Sequence, residues 1–185
     1  MKKSVKLVLL SALGAASIFS TISLTSCKRD KCKTISCQNG SKCIESEGSC
    51  ECAPGYEGSM CEVVTRDKFT GTWNVQEQGT ISPTTQYVAS IKNSALPGAN
   101  NADVQVFNLN NSTFGLVNAV VKGDTITIPE QNIDNKKVQG IGYLTKETFY
   151  GNHETLILKY KITNMNNGDV DDFGFVVGTP STWYR

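Results

Sequence analysis

This 185-residue chain has a single histidine, His153, and no cysteine after Cys61. Those two shortages remove most of the chemistry an enzyme would use. A lone histidine beside Glu154, at a turn-to-strand boundary, reads as a polar surface residue rather than a general base. No cysteine is free to act as a nucleophile, and no serine has a plausible base, so acyl transfer fails for want of parts. Nothing points to a cofactor. An excess of one charge is missing too: 18 Lys+Arg stand against 17 Asp+Glu, without the basic patch that nucleic-acid binding requires. After Cys61 long apolar runs are few, and no stretch repeats with a helical period of about 3.6 residues.

What the chain does have begins at its N-terminus. Lys2, Lys3 and Lys6 form a basic head, an apolar stretch runs from Val5 to Leu24, and small residues lead into Leu24-Thr25-Ser26-Cys27. Ser11, Ser17, Ser20, Thr21 and Ser23 dilute the apolar run, which argues against a retained membrane helix of roughly 20 apolar residues. Of the seven cysteines, the six from Cys32 to Cys61 form a self-contained set, which leaves Cys27 as the odd one. The segment resembles a bacterial lipoprotein signal with its lipobox. The resemblance implies a signal peptide over 1–26, cleavage before Cys27, lipidation of Cys27, and a lipid-anchored linker over 27–31. Each buried methylene is worth about 0.8 kcal/mol, so two or more acyl chains hold a protein firmly. Lys28 is not the Asp of an inner-membrane retention signal, so the expected location is the cell outer membrane, on either face. Losing Lys2, Lys3 and Lys6 leaves 15 basic against 17 acidic residues, a net charge of −2 for the mature chain.

The next six cysteines are spaced Cys32-x4-Cys37-x5-Cys43-x6-Cys50-x-Cys52-x8-Cys61. Thirty residues cannot bury enough apolar surface to fold alone, so the segment needs disulfide staples, and an oxidising compartment supplies them. Six cysteines allow 15 pairings, and spacing does not choose among them. Cys50-x-Cys52-x5-Gly58-x2-Cys61, with Pro54-Gly55-Tyr56 and the earlier Asn39-Gly40, resembles an epidermal growth factor (EGF)-like domain, here 32–62. The resemblance implies Cys32–Cys43, Cys37–Cys50 and Cys52–Cys61 together with a small two-stranded ribbon. Gly40 suits a turn that needs a positive φ. Calcium-binding members carry acidic residues that are missing here. Only Asp30 precedes Cys32, and Glu45 stands two after Cys43, so no metal is expected.

A short link, Glu62–Thr65, then leads into a cysteine-free domain over 66–185. Apolar residues alternate with polar ones at Trp73 and Val75, at Tyr87, Ala89 and Ile91, at Val104 and Val106, and from Phe114 to Val121. The pattern continues at Ile126 and Ile128, around Val138, Gly140 and Gly142 opposite Ile141 and Tyr143, and at Leu156, Leu158, Tyr160 and Ile162. Phe173, Phe175 and Val177 are expected to close the series. Period 2 broken by Pro97-Gly98, Asn110-Asn111, Gly123-Asp124 and Asn166-Asn167-Gly168 predicts an antiparallel meander. The fold class is therefore all-β, with an antiparallel up-and-down β-barrel favoured over a β-sandwich because closure removes exposed edges.

Phe69-x-Gly71-x-Trp73, after Arg66-Asp67-Lys68, resembles the calycin and lipocalin barrel motif, and the whole arrangement is similar to Bacteroidetes-type lipoproteins with calycin-like domains. In that family the tryptophan plugs the closed end and an arginine near the last strand packs over it, which implies barrel closure by Gly71, Trp73 and Arg185. With only two tryptophans, the aromatic cage of biotin-binding barrels is absent. Asp169, Asp171 and Asp172, beside Asn166 and Asn167, read as a solvated hairpin tip rather than a calcium loop.

The expected function is that of a non-enzymatic, lipid-anchored envelope binding protein, with an EGF-like stalk presenting a barrel. Its expected partners are the membrane, through Cys27, and a small apolar ligand or a surface protein or glycan. The alternative is a structural or protein-interaction component with a fully packed barrel, and Phe107, Phe114, Tyr143 and Phe175 pointing inward would favour it.

Overall fold

The computed structural model describes residues 30–112, 115–147 and 153–185. The segment 1–26 expected to be a signal peptide, Cys27 and Phe114 lie outside the described residues. In the small module, disulfides join Cys32 to Cys43, Cys37 to Cys50 and Cys52 to Cys61, with Cα separations of 5.9, 5.6 and 5.3 Å. Strands β1 (Lys42–Ile44) and β2 (Ser49–Glu51) form a ribbon in which Cys43 stands opposite Cys50. Gly40, with φ +72°, turns the chain into that ribbon, and Asn39 Nδ2 donates to the Cys61 carbonyl at 2.7 Å. Between Cys32 and Glu62 only Gly55 and Cys61 are fully buried, so cross-links take the place of an apolar core.

The link to the second domain is itself structured. Strand β3 (Tyr56–Glu57) pairs antiparallel with β4 (Val63–Val64), and the buried Thr65 donates its N–H to the Gly55 carbonyl at 2.9 Å. A 3-10 turn over Thr65–Lys68 follows at once.

The second domain is an eight-stranded antiparallel barrel. Strands β5 (Gly71–Glu77), β6 (Thr85–Asn93), β7 (Asp103–Phe107), β8 (Val117–Lys122), β9 (Thr125–Ile133), β10 (Lys136–Glu147) and β11 (His153–Asn164) each pair with the next. The last strand, β13 (Ser181–Tyr184), pairs with both β11 and β5 and closes the ring, which rules out two separate sheets. Strand β12 (Val170–Phe173) pairs farther along β11. The stripe expected at Phe173, Phe175 and Val177 stops after Phe173. Gly174 (φ +77°) and Gly178 (φ +83°) turn the chain out, and Asp172 captures the N–H groups of Phe175 and Val176 at 2.7 and 3.1 Å. The strand that ends the series was not anticipated, and it carries the second buried tryptophan, Trp183.

Inward positions follow the expected alternation. Trp73, Val75, Ala89, Ile91, Val104, Val106, Ile126, Ile128, Val138, Leu156, Leu158, Tyr160 and Trp183 belong to one buried cluster. A barrel of eight strands encloses just enough width for side chains to fill. Two inward glycines make that filling possible. Gly140 stands opposite Tyr160 and Gly142 opposite Leu158. A Cβ at Gly140 would come within 2.6 Å of the Tyr160 Cβ. Of the expected fillers, the described three, Phe107, Tyr143 and Phe175, do not take this role. Tyr143 is 42% exposed, because Gly142 claims the inward position beside it. Phe107 and Phe175 are half-buried beneath Lys92 and Lys161, whose ammonium nitrogens lie 4.6 and 5.5 Å from the ring centres.

Candidate functional site

Strand direction sorts the connections into two ends. The lead-in 65–70, the loop 94–102, the turn at Gly123–Asp124 and the C-terminus gather at one end. The loops 78–84, 108–112, 165–169 and 174–180 gather at the other, the mouth.

At the first end the chain closes on itself. Trp73 is fully buried, and its Nε1 donates to the Phe69 carbonyl at 2.8 Å. The Arg185 guanidinium carbon lies 4.4 Å from the Trp73 ring centre. Arg185 also donates to the carbonyls of Thr70 and Lys68, at 2.9 Å each, and pairs with Glu154. Gly71 has φ +131°, and a Cβ there would lie 3.2 Å from Arg185 Nη1. Gly71, Trp73 and Arg185 thus meet in one contact set.

The EGF-like module docks on this same end. Gly55 is buried against the loop at Asn101–Ala102, and Asn101 Nδ2 donates to the Tyr56 hydroxyl. Lys68 joins Glu57 of the module, at 2.8 Å, to Asp124 of the β8–β9 turn, at 2.6 Å. Burial works to lower its pKa, but hydrogen bonds and charge from Asp124 and Glu57 outweigh that and hold it above the ordinary 10.5.

Near the mouth, the interior turns polar. Glu77 follows Trp73 and Val75 on the inward face of β5 and is only 3% exposed. Tyr87 donates to its Oε1 at 2.8 Å, while Tyr160 and Ser181 donate to Oε2 at 2.9 and 2.5 Å. The donor direction is set from outside the carboxylate. Trp183 Nε1, which can only donate, bonds Ser181 Oγ at 2.9 Å, and the Asn110 N–H bonds Tyr87 Oη at 2.8 Å. Desolvation pushes the Glu77 pKa up, against the pull of the three hydroxyls. Burial and the neighbouring Glu77 charge raise both tyrosines as well. Tyr160 stacks on Phe173, with ring centres 4.4 Å apart.

Two mouth loops present apolar residues to solvent. Ile81 is 63% exposed, Val176 71% and Val177 56%. Their backbones are braced from behind. Asp171 accepts from the Ile81 and Ser82 N–H groups at 2.9 and 3.3 Å, and Thr80 N–H bonds the Asp172 carbonyl at 3.1 Å. Asp171 and Asp172 are therefore turn-holding groups, and Asp169 accepts from Asn167 Nδ2 at 2.6 Å. Among the described residues, no three His, Cys, Asp or Glu side chains gather as metal ligands. His153 enters only as the first residue of β11.

A scan of family models finds no match to this chain. Fibropellin-1 of Strongylocentrotus purpuratus is 37% identical over 70 residues, covering 35% of this chain and 6% of that protein. Fibropellin-3 of the same organism is 36% identical over 70 residues, covering 35% of this chain and 11% of its own length. This chain therefore spans a small fraction of the curated relatives it matches. The likeness supports EGF-like homology for the disulfide-rich module. A solved structure from Bacteroides ovatus, titled as of unknown function, aligns over 63% of this chain and 41% of its own at 11% identity and a TM-score of 0.38, too low to bear on the fold.

Sequence reasoning missed Glu77, Tyr87, Tyr160 and Ser181 as a group. The signal was present at Glu77. It falls four residues after Trp73 and two after Val75, so period 2 turns a carboxylate into the core. Its partners come from three other strands, and no local pattern joins them.

Proposed function

We propose that this is a non-enzymatic, lipid-anchored protein of the outer membrane that binds its partner at the barrel mouth. The observation that carries the reading is the docking of the EGF-like module on the closed end. Cys27 precedes that module in the chain, so an acylated Cys27 would be linked to the barrel through the closed end. Ile81, Val176 and Val177 then stand at the far end from the anchor, on loops braced by Asp171 and Asp172. Exposed apolar groups on a braced frame suit recognition of a surface protein or glycan, or the rim of a site for a small ligand. The dense aromatic filling of the bore favours a second reading, a packed structural component of the envelope.

The test is site-specific photo-crosslinking in intact cells. A photoreactive residue at Val176 should give adducts that one at Lys122, on the closed end, does not. Equal yields from both positions, or none from Val176, would remove the mouth as the working end.

A further inference from the structure

The turn that bonds Tyr87, a hydroxyl partner of Glu77, is built unlike the other mouth loops. Within Asn108–Asn111, three residues have left-handed backbone: Asn108 (φ +59°), Asn110 (+57°) and Asn111 (+46°). Asparagine tolerates this region better than other side chains, but it is still an uncommon one. The turn is held down at three points. Leu109 is only 2% exposed in the same cluster as Tyr160 and Phe173, the Asn110 N–H bonds Tyr87 Oη, and Asn108 Nδ2 donates to the Val88 carbonyl at 2.8 Å.

Leu109 thus adds an aliphatic side chain to the cluster that holds Tyr160 and Phe173, and the Asn110 N–H caps the Tyr87 hydroxyl that donates to Glu77 Oε1. The carboxylate is not saturated. It offers about four lone-pair sites. Among the described residues Oε2 takes two donors, whereas Oε1 takes only Tyr87. Nor does any cation among the described residues pair with Glu77, whose surroundings are hydroxyls and the rings of Tyr87, Tyr160 and Phe173, with Asp171 adding like charge. A carboxylate with a spare acceptor beside aromatic rings is the environment that a desolvated ammonium prefers.

We infer that the 108–112 turn is an internal stand-in for a small ammonium ligand with a short apolar body, which displaces Leu109 and Asn110 and bonds Glu77 Oε1. The inference rests on the mouth being the working end and names the ligand class it takes. It differs from a purely apolar ligand in requiring a positive charge. The ammonium nitrogen takes over the bond that the Asn110 N–H makes to Tyr87 Oη and adds one to Glu77 Oε1, which Tyr87 Oη itself contacts at 2.8 Å, and the ligand's carbons replace the Leu109 side chain.

Calorimetric titration of the mature chain with 3-methylbutylammonium, and with the neutral alcohol and the carboxylate of matching shape, separates the possibilities. The ammonium should bind at least about tenfold more tightly than the alcohol, and the carboxylate should not bind. Glu77→Gln should abolish the preference, and Leu109→Ala, which weakens the plug, should tighten ammonium binding about threefold or more. Equal binding of ammonium and alcohol to the unmodified protein overturns the cation inference and leaves a mouth that takes apolar ligands. No binding of any probe, with Leu109→Ala included, makes the turn a fixed closure and overturns the inference, whereas the crosslinks from Val176 judge the mouth separately. The comparison on the unmodified protein stands even if Glu77→Gln does not fold.

Discussion

Gly55 of the EGF-like module lies flat against Asn101 of the barrel: a Cβ at Gly55 would come within 2.2 Å of the Asn101 carbonyl carbon and 2.4 Å of the Ala102 nitrogen. Gly55 also has φ +85°, so a side chain there meets both backbone strain and a collision with main chain that cannot swing aside. The module and the barrel are keyed together at a position where only glycine fits.

Gly55→Ala should therefore undock the module without breaking its disulfides. The expected loss is about 1–3 kcal/mol, the usual cost of overpacking. Hydrogen exchange should quicken at Tyr56–Glu57 and Val63–Val64, where the strand pair would lose its footing, while β5 to β11 keep their protection. Unchanged exchange in that ribbon would show that the contact contributes nothing.

Reduction should act along the same path. The Cys52–Cys61 bridge closes the loop that carries Gly55, Tyr56 and Glu57. Breaking such a bridge in a small domain costs about 2–5 kcal/mol. The barrel has no cysteine, so it should keep a cooperative transition under reductant, but at a lower temperature because Asn101, Lys68 and Thr65 lose their partners. Scanning calorimetry with and without reductant checks this. A barrel transition unmoved by reduction would make the docking energetically empty.

The Trp73–Arg185 contact divides its cost unevenly. Trp73 is fully buried, so Trp73→Ala should cost roughly 3–5 kcal/mol. Arg185→Ala removes a cation over the ring and a partly exposed ion pair, and should cost about 0.5–2 kcal/mol. Denaturant titration of both variants gives the comparison. An Arg185→Ala loss as large as that of Trp73→Ala would mean that the guanidinium bonds to Thr70 and Lys68 carry the closure.

Period 2 made the inward faces of β5, β6, β7, β9 and β11 legible, because one buried face forces alternation. The turns at Gly123 and Asn39-Gly40 were legible because their backbones need positive φ. The last strand was hidden by length: Ser181–Tyr184 offers only Ser181 and Trp183 inward, too short a run to show a period, while Phe173-Gly174-Phe175 imitates one. Tyr143 misled as a barrel filler because aromatic size suggested an inward side chain, whereas the neighbouring glycines hold that face to make room for Tyr160 and Leu158. The docking of the two domains could not be read at all. It depends on a glycine in one module meeting a loop some 45 residues later, and no sequence pattern spans that distance.

Lipidation has its own test. Cys27→Ala should leave unprocessed precursor and abolish labelling by a fatty-acid probe fed to the cells that make the protein. Undiminished label in the variant would remove the anchor and, with it, the outer-membrane placement.

The buried carboxylate should be visible in the pH dependence of stability. Burial raises the Glu77 pKa in the folded state above its ordinary value near 4.5, even though Tyr87, Tyr160 and Ser181 all donate to it. The neighbouring Asp171 charge pushes the same way, and Tyr87 and Tyr160 stay neutral throughout because their own pKa values are raised. A raised acid binds its proton more tightly when folded. Its contribution to stability is therefore complete below pH 4.5 and is lost as pH climbs through the folded-state value. Glu77→Gln keeps the shape and stays neutral, so it should lose this slope. Its amide can occupy the Oε1 side and donate to Tyr87 Oη, while its carbonyl accepts from Tyr160 and Ser181. Measured across mildly acidic to neutral pH, the difference in unfolding free energy should shift toward the Gln variant as pH rises. A difference that does not change with pH would place the folded and unfolded pKa values together, which would mean that the three hydroxyl donors fully offset the desolvation.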